Sequence, residues 1–317
     1  MRVNCPADLS EQAQAVLSSE NGVSALSVIR GASIRPVGDL IYADIPRENA
    51  NQVIAELRAL GIDHEGTIVI NDAPTWISQQ AFEAEAQAPG ASNDAVVWAS
   101  VIERAYSDSA LTWTFISFMV FATALAAIAI VTDSIILVIA AMVLGPEFVA
   151  VASLGLALVR KRPNLFRQAA RTLLIGFSIS IAAVAALAAV ARMLGFIDVH
   201  EVASLRPGTA FIYTPSGWSF VVALIAGAVG VLALTSGQSG GLVGVFISVT
   251  TIPASGDAAL SLVFARWSEL AGSITQLVIN IVGMALAGWV TLALQQWVWR
   301  RVSARRGSSA PQPPARQ

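Results

Sequence analysis

Residues 134–159 read SIILVIAAMVLGPEFVAVASLGLALV, and the only charged residue in this apolar stretch is Glu147. A helix needs about 20 mostly apolar residues to cross a bilayer, so the stretch is long enough to span one. Pro146 lacks a backbone hydrogen-bond donor, and its ring clashes with the carbonyl four residues earlier in a helix. The stretch therefore predicts a membrane-spanning helix that is interrupted near its middle, beside a carboxylate.

The composition of the whole chain agrees with a membrane protein. Of the 317 residues, 55% are hydrophobic and only 13% are charged, whereas soluble domains carry about 25% charged residues. Six segments are long and apolar enough to be predicted as spans. They are Leu111–Val131, Ser134–Val159, Thr172–Ala191, Trp218–Thr235, Gly241–Phe264 and Ser273–Val298.

Cations are distributed unevenly between the segments that connect these spans. Beyond the N-terminal region, most of them lie in the loop Arg160–Arg171 and after Val298. Because cytoplasmic loops are enriched in arginine and lysine, the N-terminus, this loop and the C-terminus are all predicted to be cytoplasmic. An even number of spans satisfies that orientation, and the lipid bilayer is the first predicted partner.

The charge and the cysteine content exclude several classes of protein. A formal net charge of −2 gives no basic field that would attract nucleic acid. Cys5 is the single cysteine, so an internal disulfide and a cysteine metal site are both excluded. Residues Gly237–Gly241 match the G-x-S-x-G motif of serine hydrolases, but neither histidine of the chain is predicted to lie near them. We therefore expect no enzymatic activity, no metal and no cofactor.

The N-terminal residues predict a small cytoplasmic domain, called the head below, followed by a linker. In residues 1–72, helical patterns alternate with β-rich runs in the order β-α-β-β-α-β, the split βαβ or ferredoxin-like pattern. Many functions reuse that fold, so a regulatory role and a plain assembly role are both open. Residues 73–110 are predicted to be a linker that ends in an amphipathic helix on the membrane surface. Residues 111–299 form the predicted transmembrane domain, and residues 300–317 a disordered basic tail.

The predicted spans also divide into two sets of three, and the second set then crosses the membrane with opposite polarity. A shift of 107 residues places Pro146 on Pro253 and gives both segments the order apolar run, proline, acid, apolar run. Gly145–Glu147 and Ile252–Asp257 are therefore predicted to interrupt their helices. The predicted fold is a mainly α membrane protein, with six transmembrane helices as a 3+3 inverted repeat with broken middle helices and an N-terminal α+β ferredoxin-like (βαββαβ) domain.

Polar residues near the two interruptions form the candidate site for a substrate or an ion. A carboxylate near the middle of a span costs about 3 kcal/mol on insertion scales and is a functional candidate by default. Broken helices also present dipole ends and bare carbonyls to a cation, a proton or a solute. The alternatives are a packing kink at each proline, acids that are bonded to other helices or wetted, and an interhelical hydrogen bond at Asn280. The candidates are Glu147, Asp257, Pro146, Pro253, Thr250, Thr251, Asn280 and Gln276.

Four glycines are candidates for close helix contact. Gly237, Gly240, Gly241 and Gly244 form two overlapping small-xxx-small spacings, which let two helix backbones approach each other. The contact is either within one chain or between copies, and we expect a homo-oligomer.

A set of motifs runs through the predicted spans, namely Val138–Pro146, Gly241–Val245 leading to Thr251–Pro253, and Asn280. Together these motifs resemble those of the domain-of-unknown-function 389 family of prokaryotic multi-span membrane proteins. The resemblance runs from about Ala95 to Val298. It implies a multi-pass protein of the prokaryotic cytoplasmic (plasma) membrane.

Two positions depart from the pattern of that family. The family usually has a glycine before Ala-Met and a second proline shortly after the first, where this chain has Ala140 and Ala150. The resemblance therefore implies a milder break around Pro146 in this chain.

The paired interruptions favour a membrane transporter or channel-like carrier of a small solute or ion, regulated by its cytoplasmic domain. Glu147 and Asp257 are then the charge-bearing residues of the site. The alternative is a non-transporting, membrane-anchored sensor or assembly scaffold. A water-filled cavity that reaches both prolines favours transport, whereas a dry and fully packed bundle favours the scaffold.

Overall fold

In the computed structural model of the protein, the head contains a four-stranded antiparallel sheet. Helices lie in two of the three connections between consecutive strands. The strands have the order β2-β3-β1-β4, and the predicted β-α-β-β-α-β order is observed with one additional helical turn before the last strand. Buried side chains of strands and helices, such as Val3, Leu17, Ile41 and Leu57, make up its core. The elements are β1 (Arg2–Pro6), α1 (Ser10–Ser19), β2 (Ala25–Ile34), β3 (Val37–Asp44), α2 (Arg47–Ala59), α3 (Ile62–Glu65) and β4 (Thr67–Val69).

The structure describes residues 1–20, 22–71, 78–87, 95–197, 207–236 and 250–307. The chain divides into two compact units, of which the larger spans Ile102–Trp297 and the other contains the head.

A buried carboxylate ties the β2–β3 hairpin to α1. Asp39 Oδ2 accepts a hydrogen bond of 2.5 Å from Ser10 Oγ, and Asp39 Oδ1 accepts one of 2.8 Å from the backbone N–H of Gly31. Because these donors favour the ionised form, they hold the pKa of Asp39 below its usual value. The hairpin and the helix are thereby fixed to each other through a charged acceptor.

Two helices follow the head, α4 (Gln79–Gln87) and α5 (Trp98–Asp108). The amide of Asn51 in α2 bonds to the segment that leads into α5. Its Nδ2 donates to the carbonyl oxygen of Val96 at 2.6 Å, and its Oδ1 accepts from the N–H of Trp98 at 3.1 Å. One side chain of the head therefore anchors the start of α5, and the predicted position of α5 on a membrane surface stays a prediction.

Long apolar helices make up the larger unit and indicate a membrane-embedded protein. Four of them are long and apolar enough to cross a membrane, namely α6, α9, α10 and α12, and α7 with α8 adds a fifth span if this bent pair is one span. The number of six spans is thus not reached within the described residues. The helices are α6 (Trp113–Val131), α7 (Ile135–Leu144), α8 (Glu147–Val159), α9 (Pro163–Met193), α10 (Gly217–Ser236), α11 (Thr251–Val263) and α12 (Trp267–Gly307), with a 3₁₀ turn at Ala210–Ile212.

The interruption predicted at Gly145–Glu147 is confirmed. α7 ends at Leu144, α8 begins at Glu147, and the two helices are bent by 55° at this break. Pro146 is the N-cap residue of α8. A backbone N–H at this position makes no intrahelical hydrogen bond, so a proline there removes none.

The interruption predicted at Ile252–Asp257 is wrong, because α11 runs without a break from Thr251 to Val263. Pro253 is the third residue of this helix. The first N–H groups of a helix have no intrahelical partner, so a proline there removes no hydrogen bond. The rest of the predicted span, residues 241–249, lies outside the described residues. The last helix, α12, continues to Gly307, inside the stretch predicted to be a disordered tail.

The helices of the second set begin at a constant distance from those of the first. Trp113 and Gly217 start α6 and α10, Glu147 and Thr251 start α8 and α11, and each pair is 104 residues apart. Pro163 and Trp267, at the starts of α9 and α12, have the same separation of 104 residues. The shift of 107 residues, which superimposes the two prolines, therefore does not match the helix starts.

Candidate functional site

The first residues of two helices meet in a buried hydrogen bond. Thr251 Oγ1 donates to Glu147 Oε1 at 2.6 Å, so the starts of α8 and α11 touch each other. Glu147 is 6% exposed and Thr251 is 1% exposed. The structure therefore brings together two candidate residues that are far apart in the sequence, one from each predicted half.

Gly145 permits this close approach. An ideal Cβ at Gly145 would clash with Oε2 of Glu147 and would lie 2.6 Å from Cγ1 of Ile252, which is nearer than any real side chain allows. The break between α7 and α8 thus packs directly on the first turn of α11. A residue without a side chain is required at this point of the chain.

The two short helices point in opposite directions along α9. α8 leads through a three-residue turn into α9 at Pro163, whereas the end of α11 lies at the other end of α9. There, Arg192 Nη1 donates a hydrogen bond of 2.8 Å to the carbonyl oxygen of Val263. At 1.5 Å per residue, α9 is about 46 Å long and each short helix about 20 Å. The Glu147–Thr251 contact therefore lies about halfway along α9.

A cluster of amides surrounds the residue before α11. Gln276 Nε2 and Asn280 Nδ2, both on α12, donate hydrogen bonds of 3.0 Å each to Thr250 Oγ1. Gln276 and Asn280 are one helical turn apart and are both buried. These three candidates are thus brought together, next to the Glu147–Thr251 contact. The interhelical hydrogen bond considered for Asn280 is present.

Asp257 belongs to a separate group of hydroxyls further along α11. Its Oδ2 accepts hydrogen bonds from Ser261 Oγ at 3.2 Å and from Ser273 Oγ at 2.7 Å. The side chain is 1% exposed. The two acids are therefore placed differently, since Glu147 lies where two helices begin and Asp257 lies inside one of them.

Sequence reasoning missed several hydroxyl residues that connect the helices. Thr123 Oγ1 in α6 and Ser255 Oγ in α11 are 3.0 Å apart, and Ser273 bonds to Asp257 across helices. A serine or threonine inside an apolar run was the available signal, because such residues often hydrogen-bond across membrane helices. The glycine candidates Gly237, Gly240, Gly241 and Gly244 lie outside the described residues, so the helix contact predicted for them stays a prediction.

Thr250→Val is expected to lower the free energy of unfolding by about 1–3 kcal/mol, because two buried amide donors lose their acceptor. The measurement is a denaturant titration of the full chain in mixed micelles. Thr275→Val is the matched control, since its hydroxyl is exposed and bonds only to the carbonyl of Ala271 in its own helix. Equal stability of the Thr250 and Thr275 variants would show that the amide cluster contributes nothing to packing.

Comparison with known families agrees with the resemblance seen in the sequence. The model of the family described as a domain of unknown function (DUF389) matches residues 142–286. All eight candidate site residues lie within that range. No curated protein and no solved structure matches the chain. The description of the family names no activity.

Proposed function

With residues 142–286 matching the DUF389 family, we propose that this protein is a membrane carrier of a small solute or ion, regulated by its head. The binding site is the junction between the starts of α8 and α11. The junction supports the proposal because broken or short helices that end inside the bilayer are the usual substrate sites of secondary transporters. Its centre is the Glu147–Thr251 hydrogen bond of 2.6 Å.

The position of the junction supports a site near the middle of the membrane. α9 is about 46 Å long by helical rise and spans the hydrocarbon core of about 30 Å with residues to spare. The junction lies about halfway along it. A ligand at Glu147 is then about equally far from both surfaces, as alternating access requires.

An inverted repeat of two times three spans is part of the proposal. Besides the helix starts, the turns after α8 and α11 support it. Lys161 and Ala265, which are 104 residues apart, both have positive φ, at 53° and 56°. In each turn the following N–H, of Arg162 or of Arg266, donates a hydrogen bond of 2.9 Å back to the short helix. These are matching Schellman-type ends, and the opposite directions of α8 and α11 fit the inverted polarity.

The orientation is proposed from the cations. The turn between α8 and α9 and the start of α9 expose Lys161, Arg162, Arg167 and Arg171, which fits a cytoplasmic location by the positive-inside rule. Both termini are then cytoplasmic, and the protein is a multi-pass, homo-oligomeric protein of a prokaryotic plasma membrane. No catalytic role is proposed for any residue.

Reconstitution of the full chain into liposomes tests the proposal. The probes are protons, sodium, potassium, chloride and nitrate, each supplied as a gradient. We expect the protein to raise the flux of at least one of them above that of protein-free vesicles. If none of them moves faster than in protein-free vesicles, the carrier assignment is wrong for this class of solutes.

The second candidate is the non-transporting scaffold, and one observation favours it. Every residue from Thr251 to Ser261 is buried, so all of α11 except its last two residues is packed in this conformation. A carrier in an occluded state and a rigid scaffold share that feature. The flux measurement separates the two, because a scaffold gives only the background rate.

A further inference from the structure

Two helix starts converge on one buried carboxylate, and this determines which charge the junction prefers. The start of a helix carries about half a positive charge, from N–H groups without intrahelical partners. Glu147 and Thr251 are the first residues of α8 and α11 and touch each other. The two starts together place about one positive charge at the junction.

Glu147 supplies the matching negative charge from within the chain. Its Oε1 accepts from Thr251, whereas its Oε2 is buried and has no hydrogen-bond partner in the described part of the chain. The side chain is 6% exposed, so bulk water does not solvate this oxygen. A buried carboxylate oxygen without a hydrogen-bond partner costs free energy. A ligand that takes the place of the carboxylate beside the two helix starts removes this cost.

The surrounding helices provide no other charge that could balance the junction. α6, α7 and α10 carry no charged residue, α8 carries only Glu147, and α11 carries only Asp257, which bonds to serines further along the helix. The charged residues of α9 are Arg167, Arg171 and Arg192, near its two ends. On α12, Glu269 pairs with Arg266 before that helix reaches the amide cluster. The other charges of α12 lie in its last residues, well beyond Asn280, and are Arg300, Arg301, Arg305 and Arg306.

Resting on the proposed carrier function, we infer that the junction binds a small monovalent anion, such as a halide or a small oxyanion, together with a proton on Glu147. When the Glu147 carboxylate takes up one proton it becomes neutral, and its place as the negative partner of the two helix starts is taken by the anion. The total charge of the junction is unchanged by this exchange. Thr251 Oγ1, which donates to Glu147 in this structure, becomes a donor to the anion. A cation at the same place is repelled, because both helix starts carry positive charge.

The test uses the full chain in liposomes, with chloride and nitrate as anions and sodium and potassium as cations. Proton movement is followed with a trapped pH indicator. In the wild-type protein, an acidic exterior is expected to drive anion uptake, and an inward anion gradient is expected to drive proton uptake. With Glu147→Gln, which is neutral at every pH, anion flux down its own gradient is expected to persist. Proton movement is expected to fall to the level of protein-free vesicles.

Two further variants keep the inference falsifiable. Thr251→Val, which removes a hydroxyl donor and keeps the shape, is expected to weaken anion binding by about tenfold or more while proton coupling persists. Glu103→Gln, at an exposed position in α5, is the control and is expected to leave both fluxes unchanged.

The outcomes separate this inference from the carrier proposal. Flux of sodium or potassium without anion flux overturns the anion assignment and leaves the carrier proposal standing. Proton coupling that survives Glu147→Gln also overturns the inference alone. Background flux of every probe in the wild-type protein refutes the carrier proposal, and the inference with it.

Discussion

Gly227→Val is expected to lower the free energy of unfolding by about 3 kcal/mol, at the upper end of the range for overpacked interiors. An ideal Cβ at Gly227 in α10 would lie 2.5 Å from the carbonyl oxygen of Met284 and 2.7 Å from its Cα. Both atoms belong to the backbone of α12, which cannot turn away as the end of a side chain can. The added side chain must therefore push the two helices apart and break the packing around them.

A denaturant titration of the full chain in mixed micelles measures this effect. Gly217→Val is the matched control on the same helix, because a Cβ at Gly217 meets no atom within 4 Å. Gly227→Ala is expected to fall between the wild-type protein and the valine variant. Wild-type stability of Gly227→Val would mean that α10 and α12 do not approach each other this closely in the membrane.

Gly145→Val is expected to reduce flux of the carried solute to the level of protein-free vesicles. The backbone of Gly145 has φ of −67°, which valine adopts without strain, so the effect comes from packing alone. Its Cβ would clash first with Oε2 of Glu147 and would lie 2.6 Å from Cγ1 of Ile252, so the Glu147 carboxylate must move and the break and the start of α11 must separate. A separation of about 1 Å takes the Glu147–Thr251 contact out of hydrogen-bond range, and it also moves the two helix starts apart, so that they no longer bind one ligand together.

Flux and folding have to be measured on the same preparation of this variant. Size-exclusion chromatography in detergent reports whether the chain is still a single folded species, and liposome flux reports the site. Gly217→Val again provides the control. A folded Gly145→Val protein with wild-type flux would mean that the junction between α8 and α11 is not on the path of the solute.

The head and the first interruption were predictable because their signals are local. Turn residues such as Pro36, Pro46 and Gly61 divide the head into short alternating patterns, and these patterns give the observed strand and helix order. Pro146 is the only proline in its apolar run, and Gly145 directly precedes it. The position of the break can therefore be predicted from them. Both predictions depend on residues that are close together in the chain.

The second interruption was not predictable in the same way, because the effect of a proline depends on where its helix begins. In the interior of a helix, Pro253 would break the hydrogen-bond ladder, whereas in the first turn it breaks nothing. The sequence does not mark the start at Thr251 with a strong cap signal, and Thr250 uses its hydroxyl to accept from Gln276 and Asn280 instead. The shift of 107 residues followed from treating two prolines in different positions as equivalent.

The contents of the candidate site were only partly predictable. In the sequence, Glu147 and Asp257 look alike, because each is a single acid in an apolar run. The fold gives them different surroundings, since Glu147 lies at a helix start and Asp257 lies beside Ser261 and Ser273. The pairing of Glu147 with Thr251 joins residues of different helices. No local pattern could have indicated it, since the two residues are 104 positions apart in the chain.

The contact between Glu147 and Thr251 joins residues that are equivalent under the separation of 104 residues. In a symmetric pair of half-length chains, a residue that lies on the two-fold axis meets an identical copy of itself. Such a pair places two acids or two hydroxyls there, but never one of each. In the proposed inverted repeat the two halves belong to one chain and differ in sequence, so an acceptor and its donor can face each other at the axis.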